Sequence, residues 1–449
     1  MAAEWPETPL SDLTEPDTPV TYGVVKPGDE DPEGVLFIRG GDIADGRVLT
    51  KQLRTISKEI SLQYKRTLLR GGEIVMSLVG NPGQVAIVPE SLRGANIARQ
   101  AALIRLRSDV DTRFVMYFLG SRVGQEALGA HSRGSVQQVI NLGDLKTVRI
   151  PTPPLAEQRA IAHILGTLDD KIDLNRRMSA TLEAVARAMF KSWFVDFEPV
   201  RAMAEGRDPG LPESLADLFP SRFEHSELGE TPAGWKVDVL QNVLEALEVG
   251  GRPKGGVSAY ATGIPSIGAE SIVGLGIFDY SKTKYVPREF FEGMTKGHIE
   301  SRDVLLYKDG GRPGEFEPHV TLFGDGYPFN TCAINEHVYR LRANSGIGQN
   351  FLFFWLSSEF VMEEMRIKGT GVAIPGLNST QVKSLTTLVP ATEVVKAFDA
   401  VVNPYITRLL ASCKESLALV TLRDALLPKL VSGEVRVKGA DRIARRTAG

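Results

Sequence analysis

The sequence predicts an α+β protein: two similar strand-rich domains joined by long helices that form an antiparallel coiled coil, a pseudo-two-fold internal repeat. Three observations predict it. First, residues 150–190 (IPTPPLAEQRAIAHILGTLDDKIDLNRRMSATLEAVARAMF) and 388–427 (LVPATEVVKAFDAVVNPYITRLLASCKESLALVTLRDALL) each pass from a proline-marked strand end into a long helical pattern. Arg187 and Arg423, 236 apart, lie at the same depth in the two segments. Second, shorter matches recur in the same order ahead of each helix. Third, 449 residues are too many for one ordinary core. The spacing marks a duplicated module, since solenoid repeats run to roughly 20–50 residues.

Each copy opens on a spaced apolar triplet, Trp5, Leu10 and Leu13 against Trp235, Leu240 and Val243. Short β-branched runs follow, separated by Gly, Pro and Asp. They are GVLFIRGGDI, GGEIVMSLVG, GQVAIVPE and AALIRLRS in the first copy, and GIPSIGAESI, RDVLLYKDGG, HVTLFGDG and EHVYRLRA in the second. AALIRLR (101–107) matches EHVYRLR (336–342) at an offset of 235. An aromatic helix comes next, RFVMYFLGS (113–121) against NFLFFWLSS (350–358), at 237. A polar loop closes each copy, HSRGSVQQVINLGDL (131–145) against KGTGVAIPGLNSTQV (368–382). The boundaries read as a first domain 1–150, a central long helix 151–200, an acidic proline-rich linker 201–227, a second domain 228–389, a distal long helix 390–435 and a basic tail 436–449 expected to be flexible.

In the central helix Ile161, Leu165, Leu168, Ile172, Leu182, Met189 and Trp193 follow steps of three and four or their sums, the phase of a coiled-coil seam. Asn175 and Ser179 fall on the seam, where a polar residue fixes register at a cost in stability. Phe398, Val402, Tyr405, Leu409, Leu417 and Val420 give the distal helix a looser version. Pro404 is expected to kink that helix or to lie in its first turn. A helix with one apolar stripe needs a cover. Pairing the two helices antiparallel supplies it; the alternative is two domains that each fold their helix onto themselves.

The hydrophobic share of 43% and charged share of 24% are those of a folded soluble protein. Cys332 and Cys413 form no metal or disulfide pattern, which points to a reduced cytoplasmic setting. No apolar run approaches membrane-span length. The net charge of −3 hides an asymmetry. Residues 1–34 hold nine acids and one base, and residues 201–234 hold seven acids and three bases. The rest carries 48 bases against 39 acids, a mildly basic body.

The stretch PPLAEQRAIAHILGTLDDKIDLNRRMSATLEAVARAMFKSWFVDFEPV resembles the central conserved region of the specificity subunit of type I restriction-modification enzymes. RDALLPKLVSGEV resembles that family's C-terminal conserved region, and GETPAGWKVDVL the entry to one of its target-recognition domains. RDVLLYKDG and FNTCAINEHVYRLR resemble strand motifs inside such domains. The first domain departs from the pattern, since MAAEWPETPLSDL lacks the Gly-Trp entry. The resemblance implies a subunit that catalyses nothing alone and reads an asymmetric bipartite duplex DNA target. It implies two methyltransferase (modification) and two motor-nuclease (restriction) subunits as partners, with S-adenosylmethionine, ATP and Mg on those partners and no cofactor in this chain.

The residues support the absence of a catalyst. Residues 403–406 read Asn-Pro-Tyr-Ile, short of the Asn-Pro-Pro-Tyr element of amino-methyltransferases and inside a helical repeat. GGRPKGG (250–256) lacks the ending of a nucleotide loop, and the six histidines form no metal spacing. Reading DNA needs cations for phosphates and Arg, Lys, Asn or Gln for base edges. The polar loops offer Arg133, Ser135, Gln137 and Asn141 in the first copy, and Lys368, Thr370 and Asn378 in the second. Lys65, Arg66, Asn81 and Arg99 in the first domain, and Arg252, Lys254, Lys308 and Arg312 in the second, complete the candidates. The aromatic stripes Phe114, Tyr117, Phe118 and Phe351, Phe354, Trp355 read as core. Phe190, Trp193, Phe194 and Phe197, in MFKSWFVDFEP, read as a mixture of core and docking surface for a partner subunit. Two other readings stay open: part of a single-chain restriction-methylation enzyme, and a coiled-coil scaffold without a DNA role.

Overall fold

A computed structural model describes residues 5–129, 139–278, 282–327, 329, 331–369, 371 and 374–447, with side chains up to 443. The chain forms two compact units, residues 1–171 with 419–449, and residues 172–418. Their limits differ from those of the sequence repeat because both long helices are shared. The central helix (Leu155–Phe194) and the distal helix (Thr392–Val431) have 40 residues each, and each unit takes part of both.

The first unit holds an antiparallel four-stranded sheet in the order Thr21–Tyr22, Ala101–Ile104, Ile74–Ser77, Val85–Ile87. Beside it, Val35–Ile38 pairs antiparallel with Arg54–Ile56 and parallel with Asn96–Ile97. Glu7–Pro9 pairs with Arg149–Pro151, the strand before the central helix. The two inner strands are apolar without a break because both faces are buried. Ile74, Met76, Ala102 and Ile104 face one core with Phe114 and Phe118; Val75, Ala101 and Leu103 face another with Ile38 and Ile97.

The second unit repeats these three sets of pairings. Its antiparallel sheet runs Leu244–Val249, Val338–Ala343, Val304–Tyr307, Val320–Leu322. Ile264–Ile267 pairs antiparallel with Lys284–Val286 and parallel with Ala333–Ile334. Lys236–Val239 pairs with Thr386–Val389. The pairing corrects one sequence match. Ile104 lies opposite Ile74 and Leu341 opposite Val304, so Arg105 corresponds to Arg342, two residues beyond the Arg340 that sequence matching gives it. Ion pairs mark the same place: Arg105 bonds Glu73 at 3.3 Å, and the half-buried Arg342 bonds the buried Asp303 at 2.8 Å. Arg340 is an additional partner of Asp303.

Within each unit the long helices pair antiparallel. In the first, Ile161 and Leu165 share a core with Leu430 and Val431, and Arg423 bonds Asp169 at 2.8 Å. In the second, Phe190 and Phe194 pack edge-on against Phe398 at 5.8 and 5.2 Å. The seam polar residues are there too: Asn175 is fully buried and donates to Glu415 at 2.9 Å, and Ser179 meets Cys413 at 4.0 Å. Pro404 lies inside the distal helix rather than in its first turn, on an exposed position where the lost rung faces water.

The linker is structured. Phe197 ends the central helix in a left-handed conformation (φ 54), a helix at Glu198–Ala204 follows, and a hairpin pairs Phe223–Ser226 with Gly229–Pro232. The tail carries a helix at Ala440–Thr447. Ahead of it Arg436 bonds Glu157 at 2.8 and 2.9 Å and lies 4.7 Å over the Trp5 ring. Among the described residues no helix is long and apolar enough to cross a membrane.

Candidate nucleic-acid interface

Each unit gathers four segments on one edge, and two of the joining bonds are the same in both. In the first, Arg99 N donates to Val24 O at 2.9 Å, Leu78 N to Gln100 O at 2.7 Å and Ile140 N to Leu78 O at 3.1 Å. In the second, Lys308 N donates to His337 O at 2.9 Å and Leu377 N to Lys308 O at 2.8 Å, the counterparts of the last two. The fourth segment is held by a glycine in each case. A Cβ on Gly23 would lie 1.8 Å from the Ile97 carbonyl oxygen, and one on Gly250 would lie 1.7 Å from that of Ile334. Only glycine permits so close an approach.

The edge of the first unit brings Asn81, Arg99 and Asn141 together on neighbouring segments, all exposed. Arg99 makes no ion pair among the described residues, so its charge faces solvent. Asn141 precedes the helix Leu142–Thr147, with its amide 3.4 Å from Asp144. Lys65 and Arg66 are exposed on a separate turn, held where Thr67 donates to Asn96 at 2.6 Å and Arg105 donates to the Arg66 carbonyl at 2.9 Å. Arg133, Ser135, Gln137 and Thr370 lie outside the described residues.

In the second unit, Arg252 bonds Glu336 at 2.9 Å. Lys308 donates to the Glu336 carbonyl at 3.3 Å and lies 3.6 Å from Asp309. Lys254 and Arg312 are exposed, the latter on the hairpin Gly311–Arg312 with Glu315–Phe316. Two candidates are occupied internally. Lys368 bonds Glu364 at 2.8 Å and the Ser384 carbonyl at 2.7 Å, tying a helix end to the next loop. Asn378 forms a capping box with Gln381, with bonds of 2.9 and 2.8 Å.

Sequence reasoning missed Asp309, Glu336 and His337. His337 Nδ1 lies 2.6 Å from Asp309, and its Nε2 lies 3.5 Å from Glu336. The sequence match carried no signal for them, because it set Glu336 against Ala101; only in the hydrogen-bonded register does Glu336 stand where the first copy has Arg99.

The aromatic segment is spent on packing. Phe190, Trp193 and Phe194 are buried, and Phe197 packs half-buried on Trp235 and Phe223 at 5.8 and 6.2 Å. Exposing them would cost several kcal/mol in all, at about 1.5–3 kcal/mol for each large apolar side chain. Phe114, Tyr117, Phe118, Phe351, Phe354 and Trp355 are core as expected. Among the described residues no cluster of His, Cys, Asp or Glu could hold a metal ion. An exposed polar edge with cations and amides can bind phosphate and reach base edges.

The family described as "Type I restriction modification DNA specificity domain" matches residues 12–184. The chain is 24% identical to the type I restriction enzyme MjaIX specificity subunit of Methanocaldococcus jannaschii, covering 86% of this chain and 82% of that one. It is 22% identical to the HindI specificity subunit of Haemophilus influenzae, over 89% and 94% of the two chains. A stretch of 159 residues is 40% identical to the EcoBI specificity subunit of Escherichia coli, covering 35% of this chain and 33% of that relative. The fold is similar to the crystal structure of a type I restriction-modification S subunit from M. genitalium, with a TM-score of 0.56 at 16% identity over 96% of each chain. The described chain thus holds two copies of one strand plan, each followed by a long helix, and is similar over 86–89% of its length to type I restriction enzyme specificity subunits.

Proposed function

We propose that this chain is the sequence-specific DNA-binding subunit of a type I restriction-modification complex, with each unit reading one half of an asymmetric bipartite target. The observation that carries the reading is the duplicated edge: two shared backbone bonds and a closely approached glycine build like edges, which carry Asn81, Arg99 and Asn141 in one unit and Arg252, Lys254, Lys308 and Arg312 in the other. Like edges with unlike side chains suit two different half-sites. Phosphate contacts would supply salt-sensitive affinity, and base contacts the specificity.

The chain itself does no chemistry in this reading. Two modification subunits would methylate adenine using S-adenosylmethionine, and two restriction subunits would translocate and cleave with ATP and Mg, all in the cytoplasm. The test is domain exchange in the assembled complex. Replacing residues 228–390 with the matching domain of another specificity subunit should change one methylated half-site and leave the other. A four-residue insertion in the long helices should change only the unread gap. Adenine methylation by the purified chain alone, or simultaneous change of both half-sites on exchange, would overturn the reading.

A further inference from the structure

Residues 99 and 336 occupy the same place in the two units. Ala98 N donates to Ile38 O at 2.8 Å, and Asn335 N donates to Ile267 O at 3.0 Å, so the next residue in each unit stands on the candidate edge. The charges there are opposite. Arg99 is an exposed cation with no ion pair among the described residues. Glu336 is a carboxylate with Arg252 Nε at 2.9 Å and His337 Nε2 at 3.5 Å from its side-chain oxygen, and Lys308 Nζ donates to its backbone carbonyl at 3.3 Å. Asp309 adds a second anion, 2.6 Å from His337 Nδ1 and 3.6 Å from Lys308. Glu270 is paired with Lys284.

We propose that Glu336 is a specificity-determining positioning residue of the second unit, holding Arg252 in place for a base edge and offsetting its attraction to phosphate. This rests on the DNA-reading function proposed above. An arginine on a free stem takes the nearest phosphate, which carries no sequence information. An arginine whose Nε is held by a carboxylate keeps its outer nitrogens in a fixed fork, the geometry that matches a guanine edge. The carboxylate also lowers the net charge of the edge, so non-cognate duplex gains less. In the first unit Arg99 has no such partner among the described residues, and in this proposal it acts as a phosphate grip.

The arrangement is not a folding device. Arg252 is 62% exposed, and pairs so exposed contribute little to stability. Removing the carboxylate therefore leaves a folded protein whose reading changes.

The experiment compares the wild-type complex of the full chain and its modification subunit with the Glu336→Gln and Arg252→Ala variants. Binding is measured against the cognate duplex, duplexes with single base changes in either half-site, and non-cognate duplex, across a salt series. Glu336→Gln should lower discrimination at the second half-site about tenfold, the size of one base contact, and leave the first half-site unchanged. It should also raise non-cognate affinity and steepen the salt slope by about 0.9, one added phosphate contact. Arg252→Ala should lose the same discrimination without that steepening. Wild-type discrimination retained in Glu336→Gln, or loss at both half-sites together, overturns the proposal while the DNA-reading function stands. A wild-type complex that discriminates at neither half-site overturns both.

Discussion

Asp399 gives the sharpest test of the second unit's packing. It lies on the distal helix with Oδ1 buried and unpartnered, beside Arg302, whose Nη1 is likewise buried without a partner. A Cβ on Gly348 (φ +72) would come within 2.5 Å of Asp399 Oδ2, so the carboxyl is enclosed there as well. Burial raises the Asp399 carboxyl from an ordinary 3.8 to about 6, outweighing the hydrogen bond from Asn350 and the charge of Arg302, which lower it. A rise of about two pH units corresponds to about 3 kcal/mol at 1.36 kcal/mol per unit, reduced to about 1–3 kcal/mol once partial solvent access is counted. The folded state holds the proton more tightly, so this stabilisation is complete below about pH 3.8 and is lost as pH rises through about 6. Asp399→Asn mimics the protonated acid. Its stability should equal wild type below about pH 3.8, exceed it increasingly between about pH 4 and 6, and stay about 1–3 kcal/mol higher above pH 7. Trp193, Trp235 and Trp355, three of the four tryptophans, lie in this unit's core, so denaturant unfolding followed by tryptophan fluorescence reports on it. A difference that does not change with pH, or a variant less stable than wild type at pH 7.5, would refute the reasoning.

Asn175→Leu removes a fully buried amide whose carbonyl oxygen has no partner, and should raise the melting midpoint by the equivalent of about 1–2 kcal/mol; a drop would mean that the bond to Glu415 outweighs the orphaned oxygen. Gly250→Ala places a methyl 1.7 Å from the Ile334 carbonyl and should cost about 3 kcal/mol, with Gly23→Ala costing a similar amount in the first unit; equilibrium unfolding checks both, and a neutral result at either would break the structural equivalence. Arg340→Met strips a partner from the fully buried Asp303 and should cost about 3–5 kcal/mol by urea unfolding; a loss under about 1 kcal/mol would mean that Arg342 alone satisfies the carboxylate.

The architecture was legible because duplication and helical periodicity are properties of order along the chain. The two-residue error at EHVYRLR shows where such order stops being informative. Side chains alternate faces with a period of two, so a slip of two residues keeps every apolar residue on its proper face. Only the strand partners distinguish the two alignments, and they put Leu341 opposite Val304. The misplaced arginine stayed plausible because Asp303 accepts from Arg340 as well as from Arg342.

The candidate site was legible as a set of residue types and not as a set of available groups. Lys368 and Asn378 have the chemistry of DNA contacts, yet one closes a helix end onto Ser384 and the other caps the next helix. The MFKSWFVDFEP aromatics looked too costly to expose, and burial resolves that cost by packing them on Phe351, Phe398 and Trp235. What makes a cation free is the absence of a neighbour in space, and that neighbour can be distant in sequence, as Glu336 is from Arg252. The same correction carries the functional contrast between the units. With the strand in its hydrogen-bonded register, Glu336 moves from opposite Ala101 to opposite Arg99, and an unremarkable surface acid becomes the charge-reversed counterpart of the first unit's free arginine.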